Sequence, residues 1–129
     1  MESGIEHDAS LVALLERILD ALSRHDLEAI FACFADDAVM EMPRGPEPCG
    51  ARCVGKVAIR EGLVSRFAGI PDVRYNEARH WARADRGVSE WLLTGTKLNG
   101  ESVAVRGCDL WEFRDGLVVR KDSYWKIVA

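Results

Sequence analysis

The sequence predicts an α+β domain, with N-terminal helices packed on one face of a curved, mostly antiparallel sheet. Three observations carry this. Leu11, Leu14, Leu15, Ile18, Leu19 and Leu22 recur at spacings of three and four, the stripe of an amphipathic helix. From Val73 onward the chain reads as strands, in the runs VRYNEARHWARA, VSEWLLTGTKL and ESVAVRGCDLWEFRDGLVVRKDSYWKIVA. Asn99-Gly100 and Asp115-Gly116 stand between such runs, and each is a hairpin signal, because a type I′ turn needs φ > 0 at both central residues. Helices followed by a strand meander read as α+β, not as alternating βαβ units.

The bulk properties narrow the function classes. A chain of 129 residues is long enough for one proper core, and no linker or repeat divides it. Residues 1–8 read as a loose tail and residues 9–129 as a single domain. The net charge of −4, without a basic stripe, disfavours a nucleic-acid partner. No apolar run approaches the roughly 18 residues of a membrane span, so no membrane partner is expected. The start MESGIEHDAS is acidic rather than signal-like, which points to the cytoplasm. Cys33, Cys49, Cys53 and Cys108 are then reduced thiols; Cys49 and Cys53 lack the nearby His or Cys of a zinc set. Neither a metal nor a cofactor is expected.

The elements follow in order. Asp8 or Ser10 caps the first helix, which runs to about Arg24. His25 breaks it, and Asp26 caps a short second helix with Leu27, Ile30, Phe31 and Phe34 on its buried side. Asp36-Asp37 reads as a turn and Ala38 to Pro43 as a short strand. Residues 44–53 hold Gly45, Pro46, Pro48 and Gly50 and read as a loop, perceived as a mouth. A third helix runs from Gly55 to about Phe67 and ends at Gly69-Ile70-Pro71. The strands come after it.

The last hairpin supplies the candidate site. With Asp115 and Gly116 as the two loop residues, Arg114 pairs with Leu117, Phe113 with Val118, Trp111 with Arg120 and Asp109 with Asp122. Asp109, Trp111, Phe113, Asp122, Tyr124 and Lys126 then share one face. Two facing acids repel, and a core does not want them, while a surface does not need the rings; a pocket wants both. A two-residue Asn99-Gly100 loop would bring Glu90 opposite Asp109 and make a row of three acids. The turn before it is open: a three-residue loop ending at Gly87 sets His80 on this face, a two-residue loop sets Trp81 there. The opposed acids lead us to expect a raised pKa on one of them, Asp109 being the deeper. The other hairpin face, with Cys108, Leu110, Val119, Trp125 and Ile127, is apolar enough to expect a homodimer through the outer sheet face.

FADDAVMEMPRGPEPCGARCVGKVAIREGL, with GCDLWEFRDGLVV later, resembles the SnoaL-like branch of the nuclear transport factor 2-like superfamily, over about residues 10 to 127. That superfamily includes ketosteroid isomerases, polyketide cyclases and limonene epoxide hydrolase. The resemblance implies a cone-shaped α+β barrel, its curved sheet and helices enclosing one apolar pocket, and a homodimer. Asp109 of GCDLWEF stands where the isomerases carry the protonated acid of an oxyanion hole, a case known from general acid–base chemistry. Met42 stands in the place of their base and Ile18 in that of their tyrosine, so steroid isomerase activity is not implied. Lys126 stands in the place of the second acid of the epoxide hydrolases. Polyketide cyclases use a single pocket Asp, a role Asp109 would fill.

The expectation is therefore a pocket protein for a small apolar or aromatic molecule. As an enzyme it would perform acid–base chemistry on a carbonyl compound: isomerisation, aldol-type cyclisation, hydration or dehydration. Asp109 would move the proton, helped by Asp122 and Tyr124. Met40, Met42, His80, Glu90, Trp111, Phe113, Lys126 and Ile18 would line the pocket. The alternative is a ligand-binding or dimerisation module without chemistry, which Met42 in place of a base favours.

Overall fold

The structure, a computed structural model, describes residues 3–129; Met1 and Glu2 of the expected tail lie outside them. From Gly4 onward that tail is helix. Helix α1 spans Gly4–Arg24, because Ser3 and Glu6 form a capping box: Glu6 N–H donates to Ser3 Oγ at 3.1 Å and Ser3 N–H to Glu6 Oε2 at 3.3 Å. Two residues of the extra turn are tied to the sheet. Asp8 Oδ1 accepts from Ala84 N–H at 2.8 Å, and His7 Nε2 lies 2.8 Å from the Ala84 carbonyl oxygen. The predicted leucine stripe, with Ile18, is buried.

Asp26 caps α2 (Leu27–Phe31) by accepting from Ala29 N–H at 3.1 Å. Strand β1 covers Phe34–Glu41 and so includes Asp36 and Asp37, read from the sequence as a turn. Both are exposed and paired with cations, Asp36 with Lys56 at 3.2 Å and Asp37 with Arg114 at 2.6 Å. The short β2 (Arg52–Val54) lies at the end of the predicted loop, and α3 (Gly55–Gly69) follows. Then come β3 (Arg74–Arg83), β4 (Arg86–Thr96), β5 (Ser102–Arg114) and β6 (Leu117–Trp125).

The six strands form one open, mixed sheet in the order β2-β1-β6-β5-β4-β3. Only β1 and β6 run parallel. The inner face packs on the apolar side of α1, α2 and α3, around Ile18, Leu22, Ile30, Ile59, Leu63 and Leu93. The α+β class is as predicted.

The register differs from the predicted one in ways that decide the site. Asp115 (φ 53°) and Gly116 (φ 75°) form the expected two-residue turn, and Arg114–Leu117 and Phe113–Val118 pair as expected. Val119 then bulges out. Beyond it Glu112 pairs with Arg120, Trp111 with Lys121, Leu110 with Asp122 and Asp109 with Ser123. One extra residue reverses the facing of everything after it. Asp122 and Tyr124 therefore turn to the outer face, and Lys121, Ser123 and Trp125 turn inward. The β4–β5 loop holds three residues, Leu98 to Gly100, closed by Lys97 N–H donating to the Glu101 carbonyl at 2.9 Å. Asn99 Oδ1 accepts from Glu101 N–H at 2.9 Å and Gly100 takes φ 86°. This sets Ser89, not Glu90, opposite Asp109. The three-acid row does not form.

Candidate functional site

Asp109, on the inner face at the middle of β5, has no solvent exposure. Its carboxylate accepts from three donors: Ser123 Oγ at 2.6 Å and Lys121 Nζ at 2.9 Å, both on Oδ1, and Trp91 Nε1 at 2.9 Å on Oδ2. Lys121 Nζ also donates to Ser123 Oγ at 2.8 Å and lies 5.6 Å from the Trp111 ring centroid. A fully buried carboxylate is tolerated only when paired and hydrogen-bonded; Lys121, itself 4% exposed, supplies the opposite charge. The β6 bulge is what brings it there.

Gly107 makes room for the third donor. It pairs with Trp91 across β4 and β5, and a Cβ on it would come within 2.5 Å of the Trp91 ring. The indole therefore lies over Gly107 and its N–H reaches Asp109. Ser89, next along β4, accepts from Trp111 Nε1 at 2.9 Å, and its Oγ lies 2.7 Å from His80 Nδ1. Burial lowers the His80 pKa, against the charges of Glu16 and Asp109, so a neutral ring is favoured. Among the described residues no buried side-chain polar atom lacks a hydrogen bond.

A small, partly open cavity of about 10 Å³ adjoins this network; Met40, Met42, Leu63, Tyr75, Lys121 and Ser123 line it, together with Arg66 and Trp125. It holds about one water; small-molecule pockets are roughly 300–1,000 Å³. Burial, and after it the charge of Asp109, raise the Tyr75 pKa, so its phenol stays a proton donor. Outside lies an open vestibule of about 350 Å³, bordered by Arg44, Arg66, Lys97, Glu101, Trp125 and Lys126. The two spaces share Arg66 and Trp125, which stack with the guanidinium 4.2 Å from the ring centroid. Burial lowers the Arg66 pKa; Tyr75 opposes this and the like charge of Arg44 adds to it.

The predicted residues thus separate. Asp109 is the centre of the Lys121, Ser123 and Trp91 network, while Trp111 and His80 both bond Ser89 in a separate set on the neighbouring strand; Met40 and Met42 form part of the cavity wall. Phe113 is buried near the hairpin turn against Gly87, and Ile18 is core on α1. Lys126 lies beyond β6, in the vestibule. Glu90 is on the outer face, paired with Arg79 at 3.2 Å. Asp122 is held there by Arg120 at 3.2 Å, and Arg120 also binds Glu112 and Glu41. Burial raises the Asp122 pKa, while its hydrogen bond with Tyr124 and the Arg120 charge oppose the shift. Asp109 pairs with Ser123 and Asp122 with Leu110, so the expected pair of opposed acids does not form. Among the described residues no group of three or more His, Cys, Asp and Glu gathers to hold a metal.

Lys121, Ser123 and Tyr75 were not anticipated. The first two depend on a bulge that no residue type announces. Tyr75 is separated from the well-placed His80 by a second irregularity, between Asn76 and Arg79, with Glu77 at φ 53°.

A profile of the SnoaL-like domain matches residues 15–121. The chain belongs to the SnoaL-like family. Solved structures agree on the fold. A Xanthomonas campestris pv. campestris protein, provisionally designated a polyketide cyclase, superposes with TM-score 0.82 at 20% identity, covering 92% of each chain. A Bacillus subtilis protein, provisionally designated an isomerase, gives TM-score 0.77 at 22% identity, covering 92% of this chain and 87% of its own. TerC, co-crystallised with polyporic acid, gives 0.77 at 20% identity, covering 91% of this chain and 92% of its own. In this SnoaL-like domain the sheet stays open; Trp91 and Trp111 are buried in the core and Trp125 packs against it. No described helix is long and apolar enough to cross a membrane.

Proposed function

We propose that this SnoaL-like domain binds a small apolar or aromatic carbonyl compound in its interior and promotes proton transfer next to the carbonyl group. The observation that carries this is Lys121, a buried ammonium on the wall of the interior cavity, held in place by Asp109 and Ser123. A preorganised cation in a dry site stabilises charge growing on an oxygen far better than it would in water. Lys121 and the Tyr75 hydroxyl would donate to the carbonyl oxygen. Ser123 Oγ would take a proton from the adjacent carbon while its own proton passes to Asp109 Oδ1, 2.6 Å away. The negative charge then rests on the substrate oxygen beside Lys121. Such enolisation is the step shared by isomerisation and aldol-type cyclisation. Asp109 does not line the cavity, so its role is to receive that proton through Ser123 and to hold Lys121.

A second reading is binding without chemistry. It is favoured by the cavity wall itself, which offers no carboxylate or imidazole and has Met42 where the family's isomerases place a base. Both readings require Arg66 and Trp125 to move aside, since about 10 Å³ admits no organic ligand. The polyporic acid held by TerC supports a small-molecule ligand for the fold. We also propose a homodimer through the outer sheet face, where Leu110 is 38% and Tyr124 54% exposed.

The test is titration with 2-tetralone, followed by the indole N–H signals in NMR spectra. Binding in the interior shifts the signals of Trp91 and Trp125 and leaves that of the outward-facing Trp81 in place. Shifts confined to Trp81, or none, would refute an interior site. Exchange of the ketone's α-protons separates catalysis from binding alone.

A further inference from the structure

The vestibule has an imbalance that the interior site does not explain. Four cations border it, Arg44, Arg66, Lys97 and Lys126, against one acid, Glu101. Lys97 engages that acid at 3.2 Å. Among the described residues Arg44, Arg66 and Lys126 have no carboxylate partner. Arg44 and Lys126 are exposed and hydrated, so their charges are ordinary surface charges. Arg66 is different. It is half-buried and its contact is the face of Trp125, 4.2 Å from the centroid. A guanidinium withdrawn from water without an anion is unfavourable, and its fork of donors matches a carboxylate in two parallel hydrogen bonds. The half-buried guanidinium, the aromatic face beside it and the surrounding excess of positive charge converge on one space of about 350 Å³, large enough for a bicyclic ligand.

We propose that the vestibule binds a planar aromatic anion, a carboxylate or an enolate, stacked against Trp125 and held at its charged edge by Arg66. Arg44 and Lys126 draw the anion in and flank it. In the unliganded protein the guanidinium occupies the ring face that the ligand would take, so binding displaces Arg66 from Trp125. Because Arg66 and Trp125 line both the vestibule and the cavity, an anion bound here opens the way inward. The inference rests on the small-molecule reading for its substrate class, but its test does not require any reaction.

The probes are 2-naphthoate and its neutral isostere 2-naphthamide, titrated into wild-type protein by calorimetry at low and moderate salt. The carboxylate should bind at least about tenfold more tightly than the amide, a difference of about 1.4 kcal/mol, and the gap should narrow with salt. Arg66→Met should reduce 2-naphthoate affinity by at least about tenfold and leave the amide nearly unchanged. Lys126→Met, at an exposed position whose side chain has no hydrogen-bond partner among the described residues, should cost a smaller factor. Equal binding of acid and amide by the wild type, no binding of the acid, or unchanged acid affinity in a folded Arg66→Met protein would each overturn the proposal. None of those results bears on 2-tetralone, which is neutral and needs no guanidinium, so failure here and failure of the interior site remain distinguishable.

Discussion

Replacing Asp109 with Asn should strand Lys121. In the wild type the ammonium has two side-chain acceptors, Asp109 Oδ1 at 2.9 Å and Ser123 Oγ at 2.8 Å. Only the first carries charge. The new amide can still accept from Trp91 Nε1 through its oxygen. Its NH₂ then points at the ammonium and at the Ser123 hydroxyl, a donor facing donors. Removing one partner of a buried pair costs about 3–5 kcal/mol, because the remaining charge is uncompensated. For a domain of this length each kcal/mol moves the midpoint by roughly 3–5 °C, so the Tm should fall by roughly 10–25 °C at neutral pH. Lys121→Met added to Asp109→Asn should recover most of the loss, since replacing both members of a buried pair is often neutral or stabilising by about 1–4 kcal/mol. Thermal melts by circular dichroism at constant buffer and protein concentration read both. A single mutant melting within a few degrees of wild type, or a double mutant no better than the single, would refute the ion pair as the support of this site.

Other consequences are open to the same kind of measurement. Gly107→Ala should drive a methyl into the Trp91 ring, 2.5 Å from the new Cβ, and against the Tyr124 backbone carbonyl, costing about 1–3 kcal/mol; a melt equal to wild type would mean that ring and strand both give way. For Asp122 the folded pKa is raised, chiefly by burial. The folded state then binds more protons, so this group's contribution is best at acid pH and declines as pH rises past its unfolded value of about 3.9. Asp122→Asn should therefore match or exceed wild-type stability at neutral pH, with the advantage shrinking on acidification. A lower neutral-pH Tm would show that its bond to Arg120 outweighs burial. Leu110→Glu should dissociate the proposed dimer; sedimentation equilibrium of the wild type showing only monomer at micromolar concentration would remove that interface.

What could be read in the sequence follows from how far each pattern must carry. The leucine stripe of α1 is a local periodicity, and every residue predicted for it is buried. The Asp115-Gly116 turn fixes its two nearest pairs, because two residues at positive φ determine the geometry on the spot. Register further out depends on every residue in between being paired. Val119 is not, so Asp122 and Tyr124 exchange faces with Lys121 and Ser123. Asn99-Gly100 carries the same dipeptide signal type but closes a three-residue loop, because the Asn99 side chain takes the Glu101 N–H and only Gly100 needs positive φ. The β3–β4 loop has two residues, Ala84 and Asp85, and the shifted β4 register nonetheless sets His80 against Ser89 on the inner face. Asp109 itself faces inward as predicted, since β5 runs unbroken from the hairpin to it. Its partner Lys121 was not legible, because the unpaired Val119 decides which β6 side chains face Asp109.

The central claim is that Lys121, held by Asp109 and Ser123, promotes proton transfer beside a bound carbonyl. Proton–deuterium exchange at the α-carbon of 2-tetralone, followed by NMR in heavy water, tests it most directly. The comparison is between wild type, Ser123→Ala and the Asp109→Asn, Lys121→Met double mutant, each shown to be folded by its melt. The expected result is exchange accelerated by the wild type, slowed by about 10²-fold or more in Ser123→Ala, and reduced to the buffer rate in the double mutant. Acceleration that persists in the folded double mutant would contradict the claim.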